Sequence, residues 1–304
     1  MKTTIITHRS QAGSSVRAFP PARKSDAKLS RSKKRASLSP QGIVTVASRA
    51  NSRTRAATTT ASGANAFSIG SHTVADGFSS FAGGVNTSTG GLPGAFIMGS
   101  NGMATHPDSF HIANGVPNGP SLNSIILDGP LGNVLMNGAV IGTAAGYAEM
   151  FETKDGKPIE PGYFVALDGD LLRKATFEDE EVLGVVTAKP QMLGDASELH
   201  WSRMFLEDEW GRTLTDDAGQ RILNPAYDPN AVYVPRRQRP EWVSVGLLGK
   251  LAVRDDGSCR VNEYCWPNAD GIASAAPRGF GFKVMKRIGP AQILIVMGGT
   301  RVRR

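Results

Sequence analysis

The sequence predicts a mainly β protein in three parts: a disordered basic arm over residues 1–60, a short-repeat β-roll shaft with hairpins over 61–141, and a mostly β domain over 147–304. Three observations carry this reading. Phenylalanines recur at Phe67, Phe81, Phe96 and Phe110, at steps of 14, 15 and 14 residues. Glycine reaches 35 residues while aromatics are only 7% of the chain, the balance of turn-rich β structure rather than of a helical bundle. All four Trp and all five Tyr lie at or beyond Tyr147, so the composition changes there.

The arm holds 13 Lys or Arg against one acid, Asp26, within an overall net charge of +7. It is nearly empty of large apolar side chains. Such a stretch cannot bury enough surface to offset its ordering entropy, which predicts disorder. Its densest cluster is Arg31-Ser32-Lys33-Lys34-Arg35. Three uses compete: binding a polyanion, serving as an organellar transit peptide, which is also Arg- and Ser-rich and poor in acids, or tethering the chain into a larger assembly. A solvated tail without a specific partner stands beside them. Only Phe19 interleaves the cations, so base stacking is not expected. Met1–Ile6 lacks the apolar core of a secretory signal. No apolar run approaches the roughly 20 residues of a membrane span, so the chain reads as soluble.

The phenylalanine step is too short for a helical hairpin repeat. It suits one strand-and-turn coil per unit, stacked along an axis. The step recurs from Gly63 to Gly77 and from Gly70 to Gly84. Each coil carries one large apolar residue among Gly, Ser and Ala, too little for a core of its own, so stability must come from stacking and from several chains sharing an axis. A flexible Gly/Ser linker would have no reason to space its phenylalanines. Beyond the coils, Ser124–Leu127 and Val134–Met136 read as strands around the turn Asp128-Gly129-Pro130, with Asn137-Gly138 following. The small residues of 142–146 form a hinge and mark the domain boundary. In the last part, strands are expected at Tyr163–Leu167, Val182–Val186, Val243–Leu248, Lys250–Val253 and Ile293–Val296. Turns fall at Asp168-Gly169, Asp255-Asp256-Gly257 and Asp270-Gly271, and one irregular or helical stretch at Ser197–Asp208.

Several ordered runs carry a resemblance: Tyr147-Ala148-Glu149-Met150-Phe151-Glu152, Gly162–Val165 with Leu167-Asp168-Gly169, Leu183–Val186 followed by Gly194-Asp195, and His200-Trp201. Further on come Asp208–Arg212, Leu223-Asn224-Pro225, Tyr227-Asp228-Pro229, Tyr233–Arg236, Arg239–Trp242, Val245–Lys250 and Arg254–Gly257. Residues 147–288 resemble the C-terminal autocleavage, intramolecular-chaperone domain of phage pre-neck appendage (tail spike) proteins, a glutamic-type self-cleaving peptidase family. The coils separately resemble the left-handed β-roll head repeats of trimeric adhesins. The resemblance implies a homotrimeric β shaft whose C-terminal domain aids assembly and then severs itself. It also implies an Asp-x-x-Glu pair, with cleavage just before the Asp. Here the Glu falls on Glu149 and the Asp position is Gly146, so the implied scissile bond joins Ala145 and Gly146.

Carboxylate-driven peptide hydrolysis needs one group to activate water and another to protonate the leaving amine. Glu149 fills one role, and glycine at 146 leaves an accessible, flexible backbone without an acid or base. The missing carboxylate has three candidate sources: Glu152, Asp128 or a neighbouring chain. On a helix Glu149 and Glu152 would share a face; on a strand they would point to opposite faces. Cleavage before Gly146 is therefore expected to be weakened or lost.

The remaining candidates are plainer. His8, His72, His106, His111 and His200 lack metal-ligand spacing, and neither a phosphate-binding Gly loop nor a nucleophile turn occurs, so no metal and no cofactor are expected. His200 beside Trp201 reads as a core residue. Cys259 and Cys265 read as free or buried thiols, since no cysteine framework surrounds them. Arg236-Arg237-Gln238-Arg239 reads as a salt-bridged surface loop facing the acids at Glu178–Glu181 or Asp208-Glu209. The leading reading is a structural appendage protein that assembles with itself, resides in a virion or cell-surface assembly and has no membrane span. The alternatives are a self-processing peptidase acting once, and a polyanion binder acting through residues 1–60. An organellar location would follow if the arm is a transit peptide.

Overall fold

The computed structural model describes residues 35–38, 44–200 and 203–298. His8, Trp201 and most of the basic arm, including Arg31–Lys34, lie outside them. The chain divides between Ala139 and Val140 into two compact units.

The first unit is built from two parallel ladders. β1 (Arg35–Leu38) pairs antiparallel with β2 (Val44–Ala47), which then leads one ladder through β4 (Thr60–Ala61), β6 (Val74–Ala75) and the far end of β7 (Phe81–Ser88). The other ladder runs from β3 (Arg53–Arg55) through β5 (Phe67–Ser71), β7, β8 (Phe96–Met103) and β9 (Phe110–Asn114). Its register pairs Phe67 with Phe81, Phe81 with Phe96 and Phe96 with Phe110. The spacing read from the sequence is thus the circumference of one coil. The stack also starts earlier than composition suggested: residues 44–60, assigned to the disordered arm, form β2 to β4 and pair with the coils above them. Backbone hydrogen bonding to the next coil satisfies these polar groups despite the scarcity of apolar side chains.

The coil interior is narrow. Successive rungs place Ser68, Ala82, Ile97 and His111 in one fully buried column, with Ala61, Ala66 and Ala75 packed nearby. Buried hydroxyls close on their own coil: Ser68 Oγ donates to the Thr73 carbonyl at 3.0 Å and Ser80 Oγ to the Gly77 carbonyl at 2.8 Å. The phenylalanines alternate away from this interior and remain only half-buried, their rings stacked from coil to coil. Gly84 sits at φ +104, and a Cβ there would come within 2.0 Å of the Gly99 carbonyl oxygen in the next coil. Only glycine allows that approach. The stack ends in an antiparallel hairpin of β10 (Asn123–Asp128) on β9 and β11 (Asn133–Met136) on β10.

The second unit is a twisted, mostly antiparallel assembly: β12 (Tyr147–Glu152), β13 (Phe164–Asp168), β14 (Leu171–Lys174), β15 (Gly184–Val186), β16 (Met192–Gly194), β17 (Trp242–Arg254), β18 (Tyr264–Pro267), β19 (Ala273–Ala276), β20 (Phe282–Gly289) and β21 (Gln292–Met297). The two expected strands at Val243–Leu248 and Lys250–Val253 are one 13-residue strand, β17. It joins β12 and β15 at its first half and β21 at its second. Phe164, Val185, Leu251, Val253, Val284, Ile293 and Ile295 fill the principal core. Asp168-Gly169 turns the β13–β14 hairpin, whose register pairs Asp168 with Leu171. Around 197–208 the described backbone is irregular, stitched by isolated bridges such as Phe205 to Leu223 and Glu207 to Thr213. A 3-10 turn spans Arg236–Gln238. Among the described residues no helix is long and apolar enough to cross a membrane.

Candidate active site

The segment from Ala145 to Glu152 changes character at one residue. Ala148 and Met150 are buried, while Tyr147, Glu149 and Phe151 alternate onto the other face, the two-residue period of a strand. β12 lies between β17, antiparallel to it, and β16, parallel to it. Just before it, Gly146 adopts φ +88, and a Cβ there would come within 2.6 Å of the Leu248 carbonyl oxygen. The Gly146 carbonyl accepts the Gln191 N–H at 3.0 Å and the Met192 N–H at 3.4 Å. Gly146 is therefore pinned between two strands, not flexible as the sequence suggested, while Ala145 beside it is exposed.

Glu149 is half-buried and accepts a short hydrogen bond from the Tyr147 hydroxyl. The register of β12 with β16 sets Glu149 opposite Gly194, where an added Cβ would meet Tyr147 Oη at 2.7 Å and Glu149 Cγ at 3.0 Å. The absence of a side chain at 194 lets both groups lie across the ladder. Asp195 follows at once, and its charge reaches the same phenol. The Tyr147 phenol is pushed above its ordinary value, first by its bond to Glu149, then by burial and by the charges of Glu149 and Asp195. Arg236 closes the cluster. Its Nη1 donates to the Asp195 backbone carbonyl at 2.8 Å and ion-pairs with the Asp195 carboxylate, and its guanidinium lies 3.9 Å above the Trp242 ring.

Glu152 stands on the opposite face of β12, paired in register with Trp242. Asp128 is buried in the first unit, where its carboxylate caps the turn by accepting the Leu131 N–H at 3.2 Å. The arginine loop is salt-bridged, as its composition suggested, but to other acids. Arg236 takes Asp195, Arg237 takes Glu198 at 2.5 Å and Arg239 takes Glu241 at 2.6 Å. Asp179 and Asp208 are committed to Arg173 and Arg212 instead. His200 is exposed, set edge-on to Phe205 at 6.1 Å, not packed in a core.

Cys259 and Cys265 are buried free thiols. The Cys259 thiol is pushed far up, mainly by its hydrogen bond to Cys265 and then by burial. Asp255, Asp256 and Cys259 hold their ligand atoms within 4.8 Å of one another. A guanidinium already occupies this cluster: Arg287 Nη1 lies 2.6 Å from Asp255 Oδ2, off the hydrogen-bond direction but at ion-pair range.

The family model for the Peptidase_G2, IMC autoproteolytic cleavage domain matches residues 95–290, the greater part of the chain. The chain belongs to the Peptidase_G2 family. The match begins at Ala95, so it takes in the last coils as well as the second unit. The pre-neck appendage protein of Bacillus phage B103 is 32% identical over 193 residues, covering 58% of this chain and 22% of that protein. The preneck appendage protein of Bacillus phage PZA is 34% identical over 168 residues, covering 52% and 19%. The chain thus spans about a fifth of the length of these relatives. The crystal structure of the pre-mature bacteriophage phi29 gene product 12 superposes with a TM-score of 0.62 at 21% identity, over 83% of this chain and 36% of that one, a likeness of fold. Within the Peptidase_G2 region, sequence reasoning singled out Glu149 and Gly146 but not the Tyr147 hydroxyl that bonds Glu149 or the Gly194 that faces it. The Gly194-Asp195 run was visible in the sequence; its parallel pairing with 147–149 was not.

Proposed function

We propose that this chain is a virion appendage segment in which the shaft expected over 61–141 begins with the coil strands at 44, 142–146 is the joint and 147–304 a domain that guides three copies into register. The supporting observation is the column of Phe67, Phe81, Phe96 and Phe110, stacked yet only half-buried within one chain. Exposed Phe78, Val85, Met98 and Met103 on the same unit add apolar surface that copies of the chain would cover. Relatives that are phage appendage proteins support the same reading. Self-cleavage before Gly146 is weakened or lost, because the carboxylate that the family pattern puts there is absent.

Light scattering on the purified chain tests the assembly. A mass of three times 32.2 kDa is expected, and a folded single-chain species overturns the reading. A second reading rests on charge: the 13 cations of residues 1–60 bind a polyanion. Binding that weakens steeply with salt and vanishes when residues 1–34, ahead of the first strand, are deleted is its expected signature. Salt-insensitive binding removes it.

A further inference from the structure

We propose that the β10–β11 hairpin is the contact through which three chains hold together, each hairpin lying between its two neighbours with one apolar face on each. This rests on the three-chain assembly proposed above and goes beyond it by extending the decisive surface from the coils to the hairpin. Strand register carries the argument. The outward column of Phe67, Phe81, Phe96 and Phe110 does not stop at the last coil. Phe110 pairs with Leu127, and Leu127 pairs with Val134. Beside it Met98 pairs with Ile112, Ile112 with Ile125 and Ile125 with Met136. Directly opposed residues share one face of a sheet, so two apolar columns cross from the coils onto the hairpin unbroken.

Exposure separates the two ends of this stripe. The phenylalanines are half-buried because each ring leans on the next. On the hairpin, Leu127, Val134 and Met136 are 46%, 58% and 39% exposed. Stabilisation on association follows the apolar area removed from water, so the hairpin has more to gain. Its other face is apolar too. There Ile126 pairs with His111 on one side and Leu135 on the other. His111 is enclosed by its coil, but Leu135 lies past the last coil and is 43% exposed. A hairpin apolar on both faces needs a cover on each. Two chains about a two-fold axis give each copy one neighbour, whereas three chains about one axis give each copy two.

The composition of the hairpin says what the cover is. From Asn123 to Gly146 the only charged residue is Asp128, which is buried. Such a surface offers nothing to the cations of residues 1–34 or to a nucleic acid, and fits the uncharged centre of a protein interface. β11 is also the last strand of its sheet, with all four residues exposed and neither Lys nor Pro to guard the edge. An edge of this kind is safe where other copies of the chain cover it.

The test is light scattering on the full-length chain and on one variant per hairpin face. Val134→Asp and Leu135→Asp should each lower the mass from three times 32.2 kDa to 32.2 kDa. Phe81→Ala, which loosens the coils within one chain, should keep the three-chain mass. Thiol accessibility gives a second reading without added charge, since the native Cys259 and Cys265 are buried. Val134→Cys and Leu135→Cys should react with a maleimide about tenfold or more slowly than Asp217→Cys, on an exposed turn. Hairpin thiols that react as fast as the turn thiol in a three-chain species overturn the inference. So do aspartate variants that keep the three-chain mass, and the assembly reading survives both results. Dissociation by only one of the two aspartates removes the two-neighbour arrangement. A parent chain of single-chain mass overturns the assembly reading itself, and the hairpin contact with it.

Discussion

Phe81 and Phe96 lie face to face across adjacent coils, their ring centroids 4.2 Å apart and their planes within 6°. Neither ring enters the coil interior, which belongs to Ala82 and Ile97. The large aromatic residue of each repeat thus cements the outside of the stack, while Ser68, Ala82, Ile97 and His111 line the inside.

Phe81 touches a phenylalanine on each side, Phe67 at 5.5 Å and Phe96 at 4.2 Å. Phe81→Ala removes both contacts. Because the ring is only half-buried, the expected loss is about 2–3 kcal/mol, less than for a fully enclosed phenylalanine. Thermal unfolding followed by circular dichroism measures it, and an unchanged midpoint would show that the column contributes nothing.

His111 makes the coils sensitive to acid. It is fully buried; Nδ1–H donates to the Phe96 carbonyl at 3.2 Å, and Nε2 accepts the backbone N–H groups of Thr105 and His106 at 3.2 and 3.3 Å. Protonation would destroy that acceptor. Burial, opposed by the bond to the Phe96 carbonyl and aided by the charge of nearby His106, lowers the His111 pKa below its ordinary 6.5. The unfolded chain therefore binds a proton more readily, so this contribution is fully present above 6.5 and is lost as pH falls below it. Between pH 7.5 and 5 the parent chain should lose more stability than His111→Gln, and parallel melting curves would contradict this.

Asp179 behaves in the opposite sense. Two bonds from the Arg173 guanidinium, at 2.9 and 2.5 Å, and one from the Thr176 N–H at 2.7 Å hold its carboxyl at about 2, against an ordinary 3.8. The stabilisation is present above 3.8 and disappears as pH falls toward 2. Asp179 is 13% exposed, but Arg173 is 38% exposed and solvent screens the pair. Asp179→Asn should therefore cost about 1–2 kcal/mol at neutral pH. Near pH 2 denaturant melts of the two chains should converge; a constant gap would locate the effect elsewhere.

Gly146→Asp supplies the residue that the resemblance implies at this position, but the fold does not suit it. The side chain meets the Leu248 carbonyl at a backbone angle that favours glycine, so a loss of about 1–3 kcal/mol is expected, with no faster release of the fragment from Gly146. Mass spectrometry alongside melting separates the two effects. Rapid cleavage by this variant would mean that the loop accommodates the acid.

Much of the architecture was legible because it is local. The period of Phe67, Phe81, Phe96 and Phe110 is the length of chain in one turn of the coil, and the hairpin at Asp168-Gly169 is written in two adjacent residues. The site was legible only in part. Glu149 and Gly146 stood in a recognisable run, but the strand face on which Glu152 stands and the turn that Asp128 caps could not be read from it.

By itself, then, the sequence determined the β character, the coil repeat and the family, since composition, spacing and ordered runs are properties of the covalent chain. It left open how far the coils reach into the basic arm, which side of each coil Phe81 faces and what stands beside Glu149. Those depend on ladder hydrogen bonds between strands far apart in the chain: β2 against β4, β7 against β8, and β12 against β16. Register across such ladders is set by which faces can be buried and which backbones can approach, as Gly84, Gly146 and Gly194 show, and only the folded molecule resolves that competition.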